Sequence, residues 1–357
     1  MKISARHILG LVLATLAGFG AYALKMPLPW MMGPMLVMAA LSIARAPIAG
    51  PGRIRPFVIP ILGVMMGSRV TVEMFGQIGD WAPAGIGDWA LAVIGLVPVL
   101  IVSAWIGYVI YRKTLKMDPV TAFFSAMPGG LNEMFVLGAA AGGDDRQIAL
   151  AHATRIMMTV SLIALLFGAI YGVSTSNSGG SNWVALDVPS VLDYALLAAC
   201  AVLGRTVARL LHLPAPDLMG PMVLSGAAHM IGWVQVPPPT VLVNGAQIIM
   251  GATIGARFLG LPARAVLRAM VPSAIVAMIM IGTTYLFALG LTQITDIPPP
   301  QAFLGYAAGG VTEMSLLALA MDEEVAYVST LHILRIVLII AVAQPIFLGL
   351  RRYLVRA

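Results

Sequence analysis

Gly129, Gly130, Glu133, Met134, His152 and Arg155 return as Gly309, Gly310, Glu313, Met314, His332 and Arg335, every pair 180 positions apart. Six positions in one register mark a duplicated unit, and the period is far too long for a solenoid repeat. The duplication continues upstream. Pro27, Pro29, Gly33, Pro34 and Met35 reappear at an offset of 187 as Pro214, Pro216, Gly220, Pro221 and Met222, and Gly63, Gly67 and Arg69 at an offset of 188 as Gly251, Gly255 and Arg257. The chain must therefore build one substructure twice and fit the copies together. The first repeat covers residues 1–173 and the second 190–357, joined by a polar linker at 174–189 rich in Ser, Asn and Gly.

What each copy is made of follows from composition. Hydrophobic residues are 60% of the 357, charged ones 10%, and the mean hydropathy is +0.94, well outside the range of a soluble domain. Ten apolar runs have helical length, and several reach the roughly 20 residues that cross a bilayer, which predicts an all-α, multi-pass membrane protein. The net charge of +6 sits in small basic groups between those runs, a pattern of topology signals and not of a nucleic-acid surface. Cys200 is the single cysteine, so no intramolecular disulfide, cysteine-rich zinc site or iron–sulfur site can form within the chain. Lys2, Arg6 and Ala21-Tyr22-Ala23 imitate a cleavable leader, but Val191 to Leu210 stands in the same relation to the second repeat, so the expectation is a retained first helix.

Placing the N-terminus in the cytoplasm puts Arg45, Arg53, Arg55, Arg112, Lys113 and Lys116 inside, as the positive-inside rule requires. The segment Pro119 to Gly142 is broken at Pro128-Gly129-Gly130, and neither flank is long enough to span. Read as a re-entrant hairpin, it leaves five crossings per half, an odd number, so the halves must have inverted topology. Inversion then places Arg205, Arg209, Arg257, Arg264, Arg268, Arg351, Arg352 and Arg356 inside, and Asp322, Glu323 and Glu324 outside; Lys25 is the lone outward exception. Six spans per half would instead make the halves parallel and turn five of those arginines outward. The expected location is the bacterial inner membrane, with both termini cytoplasmic.

Glu133 and Glu313 follow the glycine pairs at the start of short apolar helices. Acids at membrane depth cost several kcal/mol unless paired or facing water, so they are functional candidates. Gly129-Gly130 and Gly309-Gly310 let the backbone turn and leave free N–H groups at helix N-termini, which attract anions. Asn132 and Thr312 add hydrogen-bonding groups beside the acids. His152 with Arg155, and His332 with Arg335, share a helical face. Two readings stand side by side. In one, the glutamates cap helices and form ion pairs with Arg155 and Arg335; in the other, an arginine holds an anionic substrate while a glutamate or histidine takes up a coupling proton. Gly33-Pro34 and Gly220-Pro221 are expected to interrupt the second helix of each half, either as broken-helix binding elements or as packing kinks.

The motifs Pro128-Gly129-Gly130-Leu131-Asn132-Glu133-Met134 and Ala308-Gly309-Gly310-Val311-Thr312-Glu313-Met314, with the paired Pro-x-Pro-x-x-Met-Gly-Pro elements, resemble those of the AbrB-duplication family of bacterial membrane proteins. The resemblance covers nearly the whole chain. That family has been labelled both a regulator of gene expression and an ammonia monooxygenase, and it is distinct from the small DNA-binding regulator of the same name. In architecture the chain is also similar to the glutamate and 2-hydroxycarboxylate symporters, whose inverted halves each carry a re-entrant loop. The expectation is a secondary transporter of a small, anionic solute. A monooxygenase needs metal ligands, and His152, His229 and His332 have no second histidine or cysteine at ligand spacing. A direct regulator needs an output domain, and no loop is long enough to fold as one. No catalytic residue, metal or cofactor is expected. The expected partners are a small-molecule or ion substrate and membrane lipid, with no nucleic acid and with a homodimer left open.

Overall fold

A computed structural model of the chain describes residues 4–26, 28–68, 85–129, 131–171, 183–213 and 215–354. Every regular element among them is helical. The first half holds α1 (Ala5–Ala23), α2 (Pro29–Ile43), α3 (Arg55–Gly67), α4 (Gly85–Thr114), α5 (Pro119–Ala126), α6 (Leu131–Ala140) and α7 (Asp145–Tyr171). Their counterparts are α8 (Val191–Leu210), α9 (Pro216–Met230), α10 (Thr240–Gly255), α11 (Ala263–Leu291), α12 (Pro299–Tyr306), α13 (Val311–Ala320) and α14 (Val325–Leu354), with a 3-10 turn at Ala256–Phe258. Among the described residues, seven spans, formed by α1, α4, α7, α8, α10 with its 3-10 turn, α11 and α14, are long and apolar enough to cross a membrane. The protein is a multi-pass helical membrane protein, as its composition predicts.

The copies agree down to backbone torsions. Left-handed φ angles fall at matching positions: Lys25 and His212, Leu28 and Ala215, Arg45 and Gly232, Gly142 and Asp322. At Lys25 and His212 this conformation ends α1 and α8 with the same wrap, Met26 N–H donating to Ala21 O at 3.0 Å and Leu213 N–H to Ala208 O at 2.9 Å. Those bonds satisfy carbonyls that the last helical turn leaves open.

Packing cuts across the repeats. One compact unit gathers Met1–Ile86, Ala164–Gly260 and Ser315–Val325; the other gathers Gly87–Ile163, Leu261–Met314 and Ala326–Ala357. Within the first unit, α2 packs on α1 and α10, while α9 packs on α8 and α3. Small residues permit this contact. A Cβ on Gly63 would lie 2.5 Å from Leu218 O and one on Gly67 would overlap Met222 O; correspondingly, Gly251 abuts Met31 O and Gly255 abuts Met35 O. Both helices of each pair therefore advance together, α3 along α9 and α10 along α2. The α2–α3 connection also meets the far end of α10, where Gly50 touches Ala256. The start of α3 meets the end of α8, with the Arg205 guanidinium 5.4 Å from the Phe57 ring centroid.

One expectation needs correction here. Gly33-Pro34 and Gly220-Pro221 do not break their helices; α2 runs through Pro34 and α9 through Pro221. The glycines instead let backbones touch, Gly33 against Ala17 O and Gly220 against Gly204 O. Each proline sits near its helix start, where only one helical hydrogen bond is lost.

The second unit contains the expected hairpin. Phe124 of α5 packs on Gly138 of α6, 3.1 Å from where its Cβ would be. The Asp144 N–H, just past α6, donates to Thr121 Oγ1 at the start of α5 over 2.8 Å. The chain thus returns beside the point where it entered. Around this hairpin, Phe123, Phe124, Met134, Ile148, Ile339, Ala343 and Phe347 form one buried apolar cluster joining α5, α6, α7 and α14.

Candidate functional site

An eight-residue helix that ends inside a protein exposes carbonyls with no water to receive. α5 and α12 both do so, and one arginine answers at each. From α7, Arg155 Nη1 donates to Ser125 O at 3.0 Å and Ala126 O at 3.2 Å, and its Nη2 donates to Met127 O at 3.0 Å. From α14, Arg335 donates to Ala307 O and Gly309 O. Both arginines are buried, at 2% and 4% exposure, so the carbonyls replace water as partners for their charge. Arginine suits this position because its planar group carries five donors and its charge opposes the negative end of a helix dipole.

The expected ion pair between Glu313 and Arg335 is not formed. Glu313, buried at 6% exposure in the first turn of α13, folds its carboxylate back over Gly310. The first helical bond of α13 is Met314 N–H to Gly310 O, so the N–H groups of Val311, Thr312 and Glu313 precede the ladder. Thr312 is buried beside them. In the first half, Gly130 lies outside the described residues, and Asn132 and Glu133 are described as helical backbone only, in the first turn of α6. The remaining glycines play one part in both halves: Met134 covers Gly129 and Met314 covers Gly309, so a side chain at either glycine would displace the methionine.

The two glycine turns converge. Ile339 Cγ2 is 2.9 Å from where a Cβ on Gly129 would lie. One turn earlier on the same helix, Arg335 holds Gly309 O. Ala308, from the second turn, packs on the cluster that contains Ala126 at the first. Two helix C-termini capped from within and two helix N-termini carrying acids are thereby gathered around α14.

A family profile described as "Transition state regulatory protein AbrB" matches residues 30–350. The chain belongs to the AbrB family. Two relatives match along most of their length. "Uncharacterized protein YhjN" of Bacillus subtilis (strain 168) is 23% identical over 340 residues, covering 89% of this chain and 86% of the relative. "Putative regulator AbrB" of Escherichia coli (strain K12) is 24% identical over 333 residues, covering 91% and 90%.

In this AbrB-family chain the two histidines differ. His332 Nδ1 is 3.0 Å from Arg335 Nη2, which can only donate, so Nδ1 accepts and the hydrogen sits on Nε2, bonded to Leu304 O at 2.9 Å. His152 has the opposite arrangement, its Nδ1–H donating to Ile148 O at 3.0 Å. His332 therefore positions Arg335. Sequence reading passed over a buried polar group beside Arg155: Thr154 Oγ1 lies 2.7 Å from Ser273 Oγ, and Tyr111 is fully buried close by in the same apolar cluster as Val276. Thr154 could have been suspected from its place next to Arg155; nothing in the sequence around Ser273 marks it. Among the described residues, no three His, Cys, Asp or Glu side chains gather as a metal site.

Proposed function

We propose that this AbrB-family protein is a secondary-active transporter of a small anionic solute, working by alternating access. The observation that carries the reading is the convergence of two broken hairpins whose helix C-termini are already neutralised by Arg155 and Arg335. With Glu133 and Glu313 protonated, what remains for a ligand is positive: the N-terminal N–H groups of α13, those expected of α6, and the excess charge of two guanidiniums. Half-helix N-termini aimed at an anionic group are a recurring substrate site of such carriers. Glu133 and Glu313 are the proposed proton acceptors, and Thr312 and Asn132 supply hydrogen bonds. Two compact units, each closed around helices from both repeats, suit a mechanism in which one bundle moves against another.

Inverted halves belong to the same proposal. Since α10 runs with α2 and α3 runs with α9, a reversal of direction from α2 to α3 would make the counterparts α3 and α10 point oppositely. A returning hairpin, taken with the five crossings expected from the sequence of the first half, favours the same conclusion. With inversion, the basic groups fall on the cytoplasmic side.

Proteoliposomes loaded with a pH-sensitive dye and challenged with mono- and dicarboxylates test the proposal. At least one carboxylate is expected to drive acidification, and Glu133→Gln and Glu313→Gln to abolish it while the protein still elutes as a folded species. Unchanged flux in both variants would reduce the glutamates to helix caps. Regulation of gene expression is a second, indirect reading, favoured by the name of the Escherichia coli relative and compatible with export or import of an effector.

A further inference from the structure

The first unit carries a cleft of about 520 Å³ that the hairpin site does not use. Arg205 and Arg209, one turn apart on α8, form its polar end, and Phe57, Pro60, Val202 and Leu210 its apolar walls. Both guanidiniums bind one oxygen of Asp217: Arg205 Nε at 2.9 Å, Arg209 Nη2 at 2.9 Å and Arg209 Nε at 3.1 Å. That leaves both Nη groups of Arg205, and Nη1 of Arg209, without a hydrogen bond among the described residues. Two cations and one carboxylate leave a net charge of +1. The apolar walls continue outward, with Phe57 66%, Val202 63% and Leu210 73% exposed.

We infer that this cleft holds the phosphodiester headgroup of an anionic phospholipid. A single negative phosphate matches the residual charge and the open Nη donors, and arginine forks suit phosphate oxygens. The exposed apolar walls then lie along an acyl chain, a contact that free phosphate cannot make. Basic pockets between membrane helices bind anionic headgroups on the cytoplasmic side, and the proposed topology faces this cleft that way. The first repeat lacks the charges: Gly18, Tyr22 and Trp30 occupy the positions of Arg205, Arg209 and Asp217. One such site per chain follows.

The test uses the purified full chain in detergent, with phosphatidylglycerol, phosphatidylcholine of the same acyl chains, or inorganic phosphate, read by thermal shift and by lipid retention in native mass spectrometry. The measurement requires neither transport nor a defined topology. Phosphatidylglycerol is expected to raise Tm and stay bound, the other two not. Removing the whole ion cluster with Arg205→Gln, Arg209→Gln and Asp217→Asn should erase that preference. Asp217→Asn alone, which adds one net positive charge, should tighten phosphatidylglycerol about fivefold. Equal retention of both lipids, an equal shift with phosphate, retained preference in the triple variant, or weaker binding in Asp217→Asn would each overturn the inference.

Discussion

The two repeats solve one problem identically and another differently. At the ends of α5 and α12 both place an arginine at the same position, Arg155 and Arg335, and both aim it at the carbonyls around Met127 and Ala307. At the junctions of α1 with α2 and of α8 with α9, matching positions hold unlike chemistry. Tyr22 stacks on Trp30 with ring centroids 5.7 Å apart, whereas Arg209 pairs with Asp217 at 2.9 Å. A broken helix end inside the protein has the same need in either copy. A helix end at a membrane surface answers to the face it meets, where aromatic belts occur at both faces but basic residues favour the cytoplasm. Under the proposed inversion, what stayed constant marks the shared interior and what diverged marks the membrane side.

The sharpest break of that contrast is to remove an interior arginine. Arg155→Gln or Arg335→Gln strips two or more buried carbonyls of their donor, at a cost of about 3 kcal/mol or more. Thermal denaturation in detergent should show a large loss for both variants, of similar size, since both halves use the arginine alike. A smaller loss, about 1–3 kcal/mol, is expected for Gly33→Ala and Gly220→Ala, whose new methyl groups would press on Ala17 O and Gly204 O. The smallest effect concerns the loops that leave the hairpins. Burial pushes Asp144 up, but hydrogen bonds from the Gln147 side chain and backbone outweigh it, and its carboxyl sits below the ordinary range. Burial, with Asp322 beside it, pushes Glu323 above that range. Asp144 therefore stabilises the fold at neutral pH and loses that contribution as pH falls through its lowered pKa. Ionised Glu323 costs stability above its raised pKa and relieves it as pH falls. Asp144→Asn should lower Tm at neutral pH, Glu323→Gln should raise it slightly, and both differences should shrink toward about pH 3, measured by Tm against pH.

Much of the fold was legible because duplication and hydropathy act over long stretches of chain. Ten apolar runs became helices, and the glycine pairs marked the breaks between α5 and α6 and between α12 and α13. Gly33-Pro34 misled, because a Gly-Pro pair reads as a break while the contact that requires Gly33 lies on Ala17, which a linear sequence does not pair with it. The arginines were found but their partners were not. Backbone carbonyls carry no letter in the sequence, so a guanidinium bound to three of them looks like one waiting for an acid. Thr154 and Ser273 escaped for a similar reason, being 119 residues apart and brought together by packing alone.

Inversion of the halves is tested most directly at equivalent surface positions. Leu24 and Leu211 both end their helices, at 76% and 64% exposure, one 187 positions after the other. Single cysteines there, in a chain with Cys200 replaced by Ala, can be labelled in intact cells with a membrane-impermeant maleimide. Inverted halves require that Leu24→Cys reacts from outside and Leu211→Cys only after the inner face is exposed; reaction of both from one side would contradict them.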